Sequence, residues 1–323
     1  MRVFVTGASG WIGSAVVPEL ISAGHQVVGL ARSDSSAAAL DKAGAEVLRG
    51  SLDDPGLLRD AAAEADGVIH LAFKHDLAFS GGFGAAAEAD RHAIEAFGEA
   101  LAGSGRPLVI ASGVLGLAPG RTATEEDGQP SPGTDTESAG VPAGVPAGVP
   151  ATGPASRLAN AHATLALADR DVRASVLRLP PTVHGDGDHG FLAAIVATAR
   201  AKGVSGYVGD GAQRWPAVHR DDAARLFRLA LENAPAGSTL HAIADEGVPI
   251  RAVAEVIGRH LGLPVESVAP ADAAAHFTWL ADLLALDSPA TGERTRALLD
   301  WRPSRPGLLD DLGQGHYFAA PAG

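Results

Sequence analysis

The stretch Met1-Arg-Val-Phe-Val-Thr-Gly-Ala-Ser-Gly-Trp-Ile-Gly13 decides the fold, because an apolar segment leads straight into three closely spaced glycines. Residues 3–5 predict a buried β-strand. A helical pattern follows the glycines, with apolar side chains at Ile12, Val16, Val17, Leu20 and Ile21. A second apolar strand is predicted over residues 26–30. A strand, a glycine turn, a helix and a second strand in this order are typical of a nucleotide-binding βαβ unit.

Each glycine of the turn has a separate physical role in such a unit. Gly7 permits the tight turn, Gly10 lets a pyrophosphate approach the backbone, and Gly13 lets the helix pack closely on the strand. The pyrophosphate would lie on the free N–H groups at the positive end of the helix. Without a cofactor, the same pattern would be merely a tight turn between a strand and a helix. We expect the cofactor to contact Gly7, Ser9, Gly10, Trp11, Ile12 and Gly13.

The composition is that of an ordinary globular protein, with 46% apolar and 20% charged residues in a chain of 323. The net charge of −13 argues against binding to nucleic acid or to anionic membranes, because both need clustered Lys and Arg. The absence of cysteine excludes disulfides and thiolate nucleophiles. No apolar run is long enough to span a membrane, and Met1 leads directly into a strand without room for a signal peptide. We expect a cytoplasmic monomer or homodimer whose partner is a small-molecule substrate.

The end of the second predicted strand bears on the choice between NAD and NADP. An NAD site usually places an acidic residue here, where it binds both ribose hydroxyls. This chain has Ala31 at that position and Arg32 beside it. Because a guanidinium pairs well with a 2′-phosphate, these residues favour NADP, while the nearby Asp34 keeps NAD possible.

Further strands and helices alternate along the chain, which predicts an α/β fold with a doubly wound parallel sheet of the Rossmann type. Asp53 and Asp54 follow the third strand, where they could cap a helix over residues 55–63. Later strands are expected at residues 67–73, 107–113 and 172–180, and helices at residues 84–102, 157–169 and 221–231.

The spacing Thr6-Gly-x-x-Gly-x-x-Gly13 resembles that of the extended and atypical branch of the short-chain dehydrogenase/reductase superfamily, the epimerase/dehydratase-like proteins. Residues 178–189, 209–222 and 294–312 resemble the same branch, so the resemblance covers essentially the whole chain. It implies that Ser112, at the end of the fifth strand, stands where the family keeps its catalytic serine. It also implies cofactor contacts at Leu52, Asp53, Leu71, Ala72, Phe73, Ser112 and Pro180.

The acid–base pair of the resembling family is missing. That family uses a Tyr-x-x-x-Lys pair on one helix face, but the helix that would carry it, residues 155–164, contains neither Tyr nor Lys. The register places Arg157 where the Tyr would be and Ala161 where the Lys would be. Arg157 or Asn160 could hold the cofactor ribose, or polarise an oxygen without giving up a proton.

Other residues could supply the proton. His184 and His189 form a cluster with Asp186 and Asp188 that we expect at the mouth of the site. A histidine near its reference pKa of about 6.5 is a competent proton donor at neutral pH. Histidines in a Gly-rich loop are more often exposed or hydrogen-bonded turn residues. We expect no metal site, because a Gly-rich loop spreads such ligands as easily as it gathers them. The candidate catalytic residues are Ser112, His184, His189 and Tyr207.

The chain is expected to form two domains. Residues 1–180 would form the NADP-binding domain, which also receives residues 216–245. Residues 181–215 and 246–323 would form a smaller substrate-binding lobe. Residues 113–155 are of low complexity and include the repeat Val141–Pro150, which we interpret as either a lid or a tolerated loop expansion.

These features predict an NADP(H)-binding oxidoreductase that acts on a carbonyl or hydroxyl group of a small organic molecule. The alternative is a protein that binds NADP(H) without redox chemistry, as a sensor or as an isomerase or cyclase using the same pocket. The intact glycine turn, Ser112 and the substrate-side loops favour an enzyme, whereas the missing Tyr and Lys favour the alternative.

Overall fold

The computed structural model describes residues 1–129 and 154–319. The chain divides into two compact units. The first comprises residues 1–112, 128–178 and 224–240, and the second residues 113–127, 179–223 and 241–323. The repeat Val141–Pro150 lies outside the described residues. In the part of the chain that the structure describes, no helix is long and apolar enough to cross a membrane.

The first unit is built on a seven-stranded sheet. In chain order its strands are β1 (Arg2–Thr6), β2 (Gln26–Ala31), β3 (Glu46–Arg49), β4 (Gly67–His70), β5 (Pro107–Gly113), β6 (Arg173–Leu179) and β10 (Ser238–His241). Their order across the sheet is β10-β6-β5-β4-β1-β2-β3. β1 pairs in parallel with β2 on one side and β4 on the other, so the winding direction reverses beside β1. In such sheets, ligands bind at the carboxyl ends of the strands at this reversal.

Helices alternate with these strands, which confirms the predicted doubly wound α/β fold. Asp54 caps α3 (Pro55–Ala63) by accepting a hydrogen bond from the backbone N–H of Leu57, and Pro55 begins that helix, as the sequence allowed. The core between sheet and helices is apolar and includes Phe4, Leu58, Phe97 and Leu108. The helices are α1 (Gly13–Ser22), α2 (Asp34–Lys42), α3 (Pro55–Ala63), α4 (His75–Leu77), α5 (Phe83–Leu101), α6 (Pro154–Ala166) and α8 (Arg220–Asn233).

The second unit contains two small sheets. Its strands are β7 (Thr182–His184), β8 (Ser205–Val208), β9 (Arg214–His219), β11 (Asp245–Pro249) and β12 (Val265–Val268). β9 pairs with β7 in parallel and with β11 in antiparallel orientation, and β8 pairs in parallel with β12. Its helices are α7 (Phe191–Lys202), α9 (Ile250–Leu261), α10 (Ala273–Phe277), α11 (Ala281–Leu284), α12 (Glu293–Leu299) and α13 (Leu308–Gly313).

Residues 113–127 are packed within the second unit, although we expected a low-complexity insertion in the first domain. The buried carboxylate of Glu125 accepts hydrogen bonds of 2.8 Å from both the backbone and the hydroxyl of Thr295. These contacts were invisible to sequence analysis, because their partners lie far along the chain. The segment also contributes to a small apolar cluster of Val114, Ala118, Ala123, Ile243 and Ala290.

A chain of buried polar side chains crosses the core of the first unit. The Thr6 hydroxyl lies 2.6 Å from Nδ1 of His70, whose Nε2 lies 3.1 Å from one carboxylate oxygen of Asp90. Asn160 donates to the other oxygen of Asp90 and to the carbonyl of Ala87, both at 2.8 Å. The network therefore joins β1, β4, α5 and α6.

The network keeps Asp90 ionised. Burial alone would raise the pKa of Asp90, but the hydrogen bond and charge of His70 hold it below its usual value, with help from Arg157 and Asn160. A carboxyl whose pKa is lower in the folded chain stabilises that chain above the unfolded pKa, which is about 3.9. This stabilisation is lost as the pH falls through the folded value.

Asp90→Ala should lower the free energy of unfolding by about 3 kcal/mol at pH 7, because it leaves His70 and Asn160 without their partner in a buried site. Asp60→Ala, which removes an exposed carboxylate from α3, should change it by less than about 0.5 kcal/mol. Urea unfolding measures both, and the difference should shrink as the pH falls below about 3.9, because Asp90 of the unfolded wild type binds a proton there before Asp90 of the folded chain does. A loss below about 1 kcal/mol for Asp90→Ala would contradict this role.

Candidate functional site

The glycine turn between β1 and α1 passes close to the end of β4. Gly7 has a φ of +67°, and a Cβ placed on it would lie 2.7 Å from the backbone nitrogen of Ala72. A Cβ on Gly13 would lie 2.1 Å from the carbonyl oxygen of Gly7. These two positions exclude a side chain and so shape the turn. At Gly10 the φ is not positive, and a Cβ would touch the Gly7 carbonyl at 3.2 Å. Apart from this carbonyl and the two adjacent residues, no atom of the described residues lies within 4 Å of that Cβ, so the backbone at Gly10 faces an open space, called the cradle below, which a side chain would enter.

The first turn of α1 can accept an anion. Ile12 precedes the helix, and no side chain within the described residues caps it. The first turn also contains no acidic residue. Because the free N–H groups at a helix start carry partial positive charge, an anionic group is stabilised there. With Ser9 and Trp11, which are partly exposed in the same turn, these residues fit the pyrophosphate of a dinucleotide.

Two arginines lie at the second βα turn. Arg32 is exposed directly after β2. Arg49, at the end of β3, pairs in register with Ala31, donates to the Ser33 carbonyl at 2.6 Å and forms an ion pair with Asp34. Arg32 was predicted from the sequence and Arg49 was not, because the pairing of the two strand ends is not visible until the register is known. The sequence signal that could have identified Arg49 is a cation at the carboxyl end of the neighbouring parallel strand.

Asp53 lies at the surface, close enough to Arg32 for the charge of that guanidinium to lower the pKa of its carboxyl. The hydrogen bond from Lys74 holds the pKa of Asp53 below its usual value, with smaller contributions from Ser51 and Arg32. Leu52 beside it packs partly buried against the apolar core. The carboxylate of Asp53 is therefore ionised and exposed at the carboxyl edge of the sheet.

One side chain of α6 reaches the carboxyl ends of β4 and β5. The Arg157 guanidinium donates to the Ala111 carbonyl at 2.7 Å, and its central carbon lies 4.2 Å from the centroid of the Phe73 ring. Ser112 follows Ala111 and is partly exposed. The structure thus brings Arg157 onto the Phe73 ring and onto the backbone of β5 at Ala111, the residue before Ser112. The segment after β4, called the β4 strip below, consists of Leu71, Ala72 and Phe73.

The guanidinium of Arg157 is a fixed cation. Burial lowers its pKa and the charge of Asp90 raises it, but a guanidinium in a protein does not lose its proton. Asn160, which we considered for the cofactor ribose, is buried and donates to Asp90 and Ala87 instead. The expectation of a cofactor contact from Asn160 is therefore wrong, because its amide is bound within the core.

The candidate catalytic residues of the second unit are mostly buried. His184 is 0% exposed, with Nδ1 2.9 Å from the Asp311 carboxylate, so it lies in the core and not at the mouth of a site as we expected. Tyr207 is also buried, within β8. His189 is exposed, and Pro180 is buried directly after β6. Since a proton donor must reach its substrate, the burial of His184 and Tyr207 argues against a catalytic role for either.

Comparisons with known proteins agree with the geometry. The model of the NAD dependent epimerase/dehydratase family matches residues 3–82, which contain the glycine turn. An uncharacterized protein of Schizosaccharomyces pombe is 44% identical over 319 residues, which span 98% of this chain and 100% of that protein. The 3-diazoavenalumate denitrifying reductase of a Streptomyces species is 29% identical over 335 residues, which span 97% of this chain and 100% of that protein.

A solved structure supports the fold. The dTDP-glucose 4,6-dehydratase of Streptomyces venezuelae, crystallised with NAD, superimposes with a TM-score of 0.73 at 21% identity. The match covers 98% of this chain and 96% of that chain. At this level of identity the likeness is one of fold alone.

Gly10→Val should fold with a melting temperature within about 3 °C of the wild type, yet bind NADPH at least about fiftyfold more weakly, because the new side chain fills the cradle. Gly13→Val is the matched comparison and should lose stability outright, since its Cβ would collide with the backbone. Calorimetry with NADPH and thermal unfolding separate the two effects. If Gly10→Val binds NADPH normally, the turn is not a nucleotide site.

Proposed function

Because the chain belongs to the NAD dependent epimerase/dehydratase family, in the extended and atypical branch of the short-chain dehydrogenase/reductase superfamily, we propose that it is an NADP(H)-dependent oxidoreductase. Its substrate is a small organic molecule with a carbonyl or hydroxyl group. The observation that carries the proposal is the position of Arg157. Its guanidinium lies over the Phe73 ring and donates to the carbonyl of Ala111, the residue before Ser112. The cradle at Gly10, which would hold the dinucleotide, and the fixed cation Arg157 therefore belong to the same unit.

The second βα turn supports NADP over NAD. β2 ends on Ala31, which offers no carboxylate to the ribose hydroxyls. Arg32 is exposed there, and Arg49 adds a second cation at the adjacent strand end. The Ser33 hydroxyl already accepts the backbone N–H of Ser36, so it caps α2 and keeps that helix start in place. Two guanidinium groups at one turn favour a 2′-phosphate.

The residues at the β4 and β5 ends can stabilise an oxygen on which negative charge develops. The bound nicotinamide supplies the hydride. Arg157 offers a preorganised positive charge to the acceptor oxygen, and the hydroxyl of Ser112 offers a hydrogen bond. The contact with Phe73 and the bond to the Ala111 carbonyl hold the guanidinium in place before the substrate arrives. Arg157 therefore performs the electrostatic part of the work of the family's tyrosine, but not the transfer of a proton.

A diazo compound is a second candidate acceptor, favoured by the likeness to the Streptomyces reductase, whose name states that it denitrifies 3-diazoavenalumate. When an aryl diazonium ion is reduced by hydride, the hydride electron pair forms the new C–H bond, and N₂ leaves with the electrons of the broken C–N bond. No proton is needed. Such an acceptor is compatible with a site that lacks the Tyr-x-x-x-Lys pair.

Arg32→Ala should weaken NADPH binding roughly ten- to a hundredfold and leave NADH binding unchanged, because the lost cation contacts only the 2′-phosphate. Arg49→Ala should act in the same direction with a smaller effect, since this guanidinium is shared with Ser33 and Asp34. Arg59→Ala, on the exposed face of α3, is the control. Calorimetric affinities that are equal for NADPH and NADH in the wild type would contradict the preference.

Arg157→Gln should lower kcat about a hundred- to a thousandfold with a carbonyl substrate and keep the NADPH Kd within about threefold, because one preorganised charge is removed from the acceptor oxygen. Arg157→Lys should recover part of the loss, since it restores the charge without the planar fork. NADPH oxidation is followed with a panel of aldehydes, ketones and aryl diazonium salts. If the wild type binds NADPH but oxidises it with no member of the panel, the non-redox alternative replaces this function.

A further inference from the structure

A carbonyl reduction at this site needs a proton donor beside Arg157 and Ser112. Arg157 does not release its proton, and a serine hydroxyl alone is too weak an acid. The donor must titrate near neutral pH and lie close to Arg157. His75, in the same unit, is a histidine that contacts the Phe73 ring over which Arg157 lies.

His75 follows the β4 strip and turns back onto it. The backbone N–H of His75 donates to the Phe73 carbonyl at 2.9 Å, which closes a tight turn at the start of α4. The imidazole meets the Phe73 ring edge to face, with centroids 5.1 Å apart and planes at 70°. Arg157 lies over the same ring, 4.2 Å from its centroid. One aromatic ring therefore contacts both the fixed cation and a titratable base.

The surroundings of His75 make its imidazolium a stronger acid. Partial burial lowers the pKa of His75 below 6.5, and the charge of Arg157 lowers it further. Asp76 on α4, the Phe73 carbonyl and Asp90 on α5 oppose these effects, but the net direction is downward. The residue still keeps an exposed surface, so it can exchange protons with solvent.

We propose that His75 is the proton donor to the acceptor oxygen bound by Arg157 and Ser112, an assignment that rests on the oxidoreductase function proposed above. In reduction, the carbonyl carbon gains a hydride and is reduced, while NADPH is oxidised. The C=O π pair moves to the oxygen, which takes the proton as an imidazolium N–H bond of His75 breaks. The neutral ring then regains a proton from water. In oxidation, the neutral ring accepts the hydroxyl proton.

The assignment fixes the direction of the pH dependence. The protonated form of His75 is the donor, so kcat for reduction should fall as the pH rises through a value below about 6.5. The kcat for oxidation should rise over the same range. A tyrosine donor would hold its proton to far more alkaline pH.

The test compares His75→Asn with His92→Asn, which removes an exposed histidine from α5 in the same unit. With 4-nitrobenzaldehyde and the rest of the carbonyl panel, His75→Asn should lose about 10²–10⁴-fold in kcat and lose the pH dependence. Its NADPH Kd, measured by calorimetry, should stay within about twofold of the wild type. His92→Asn should match the wild type in all three measurements.

A second measurement needs no turnover. Histidine ring resonances of the wild type are titrated by NMR with and without NADP⁺, and His75 and His92 are assigned from the two variants. The cationic nicotinamide of NADP⁺ should lower the pKa of His75 and leave that of His92 unchanged. A His75 pKa that does not move when NADP⁺ binds would overturn the assignment.

The kinetic outcomes separate the two proposals. Normal kcat and an unchanged pH profile in His75→Asn, on a carbonyl that the wild type reduces, would overturn the role of His75 and leave the oxidoreductase function intact. A loss of NADPH affinity in His75→Asn that is large enough to explain its loss of activity would also overturn the role of His75 as proton donor, because His75 would then be a binding residue. A wild type that reduces no carbonyl or diazonium probe would overturn the function itself.

Discussion

The close approach of the glycine turn to the end of β4 is the constraint on which the rest of the site depends. A side chain at Gly7 would meet the backbone of Ala72 at 2.7 Å, so the two strand ends can come together only with glycine there. Thr6, just before this glycine, contacts His70 on β4, and the buried network continues through Asp90 to Asn160. The network therefore links the cofactor turn to α6.

The same helix carries the fixed cation. Arg157 lies three residues before Asn160, whose two hydrogen bonds hold that turn of α6 against α5. The guanidinium then reaches the Ala111 carbonyl and the Phe73 ring. A tyrosine at this place would combine charge stabilisation with proton transfer, whereas an arginine provides only the former. On the proposal that Arg157 takes the position of the family's tyrosine, the site requires either a separate proton donor or an acceptor that needs no proton, and the two proposed acceptor classes follow from this choice.

Local sequence patterns predicted the fold well, because the glycine turn and its flanking strands are encoded by neighbouring residues. The exclusion of side chains at Gly7 and Gly13 agrees with the roles expected from their spacing. Contacts between distant elements were not predictable. Asp90 stands in a helix of alanines and charged residues that shows no sign of a buried acid, yet it is 4% exposed and holds the polar network together. Arg49 and His75 belong to no motif, and His184 was expected at the mouth of the site but is buried, with its Nδ1 2.9 Å from the Asp311 carboxylate. Each of these depends on partners that only the folded chain brings together.

Transfer of deuterium from NADPH labelled at the nicotinamide C4 tests the central claim, that this dinucleotide site with Arg157 in place of tyrosine carries out hydride transfer. Products from the carbonyl and diazonium panel are analysed by mass spectrometry after incubation with the wild type. We expect one deuterium at the former carbonyl carbon, or at the ring carbon that has lost nitrogen, from one of the two labelled faces of the nicotinamide. NADPH that binds at the affinity of a cofactor but passes deuterium to no acceptor would contradict the claim.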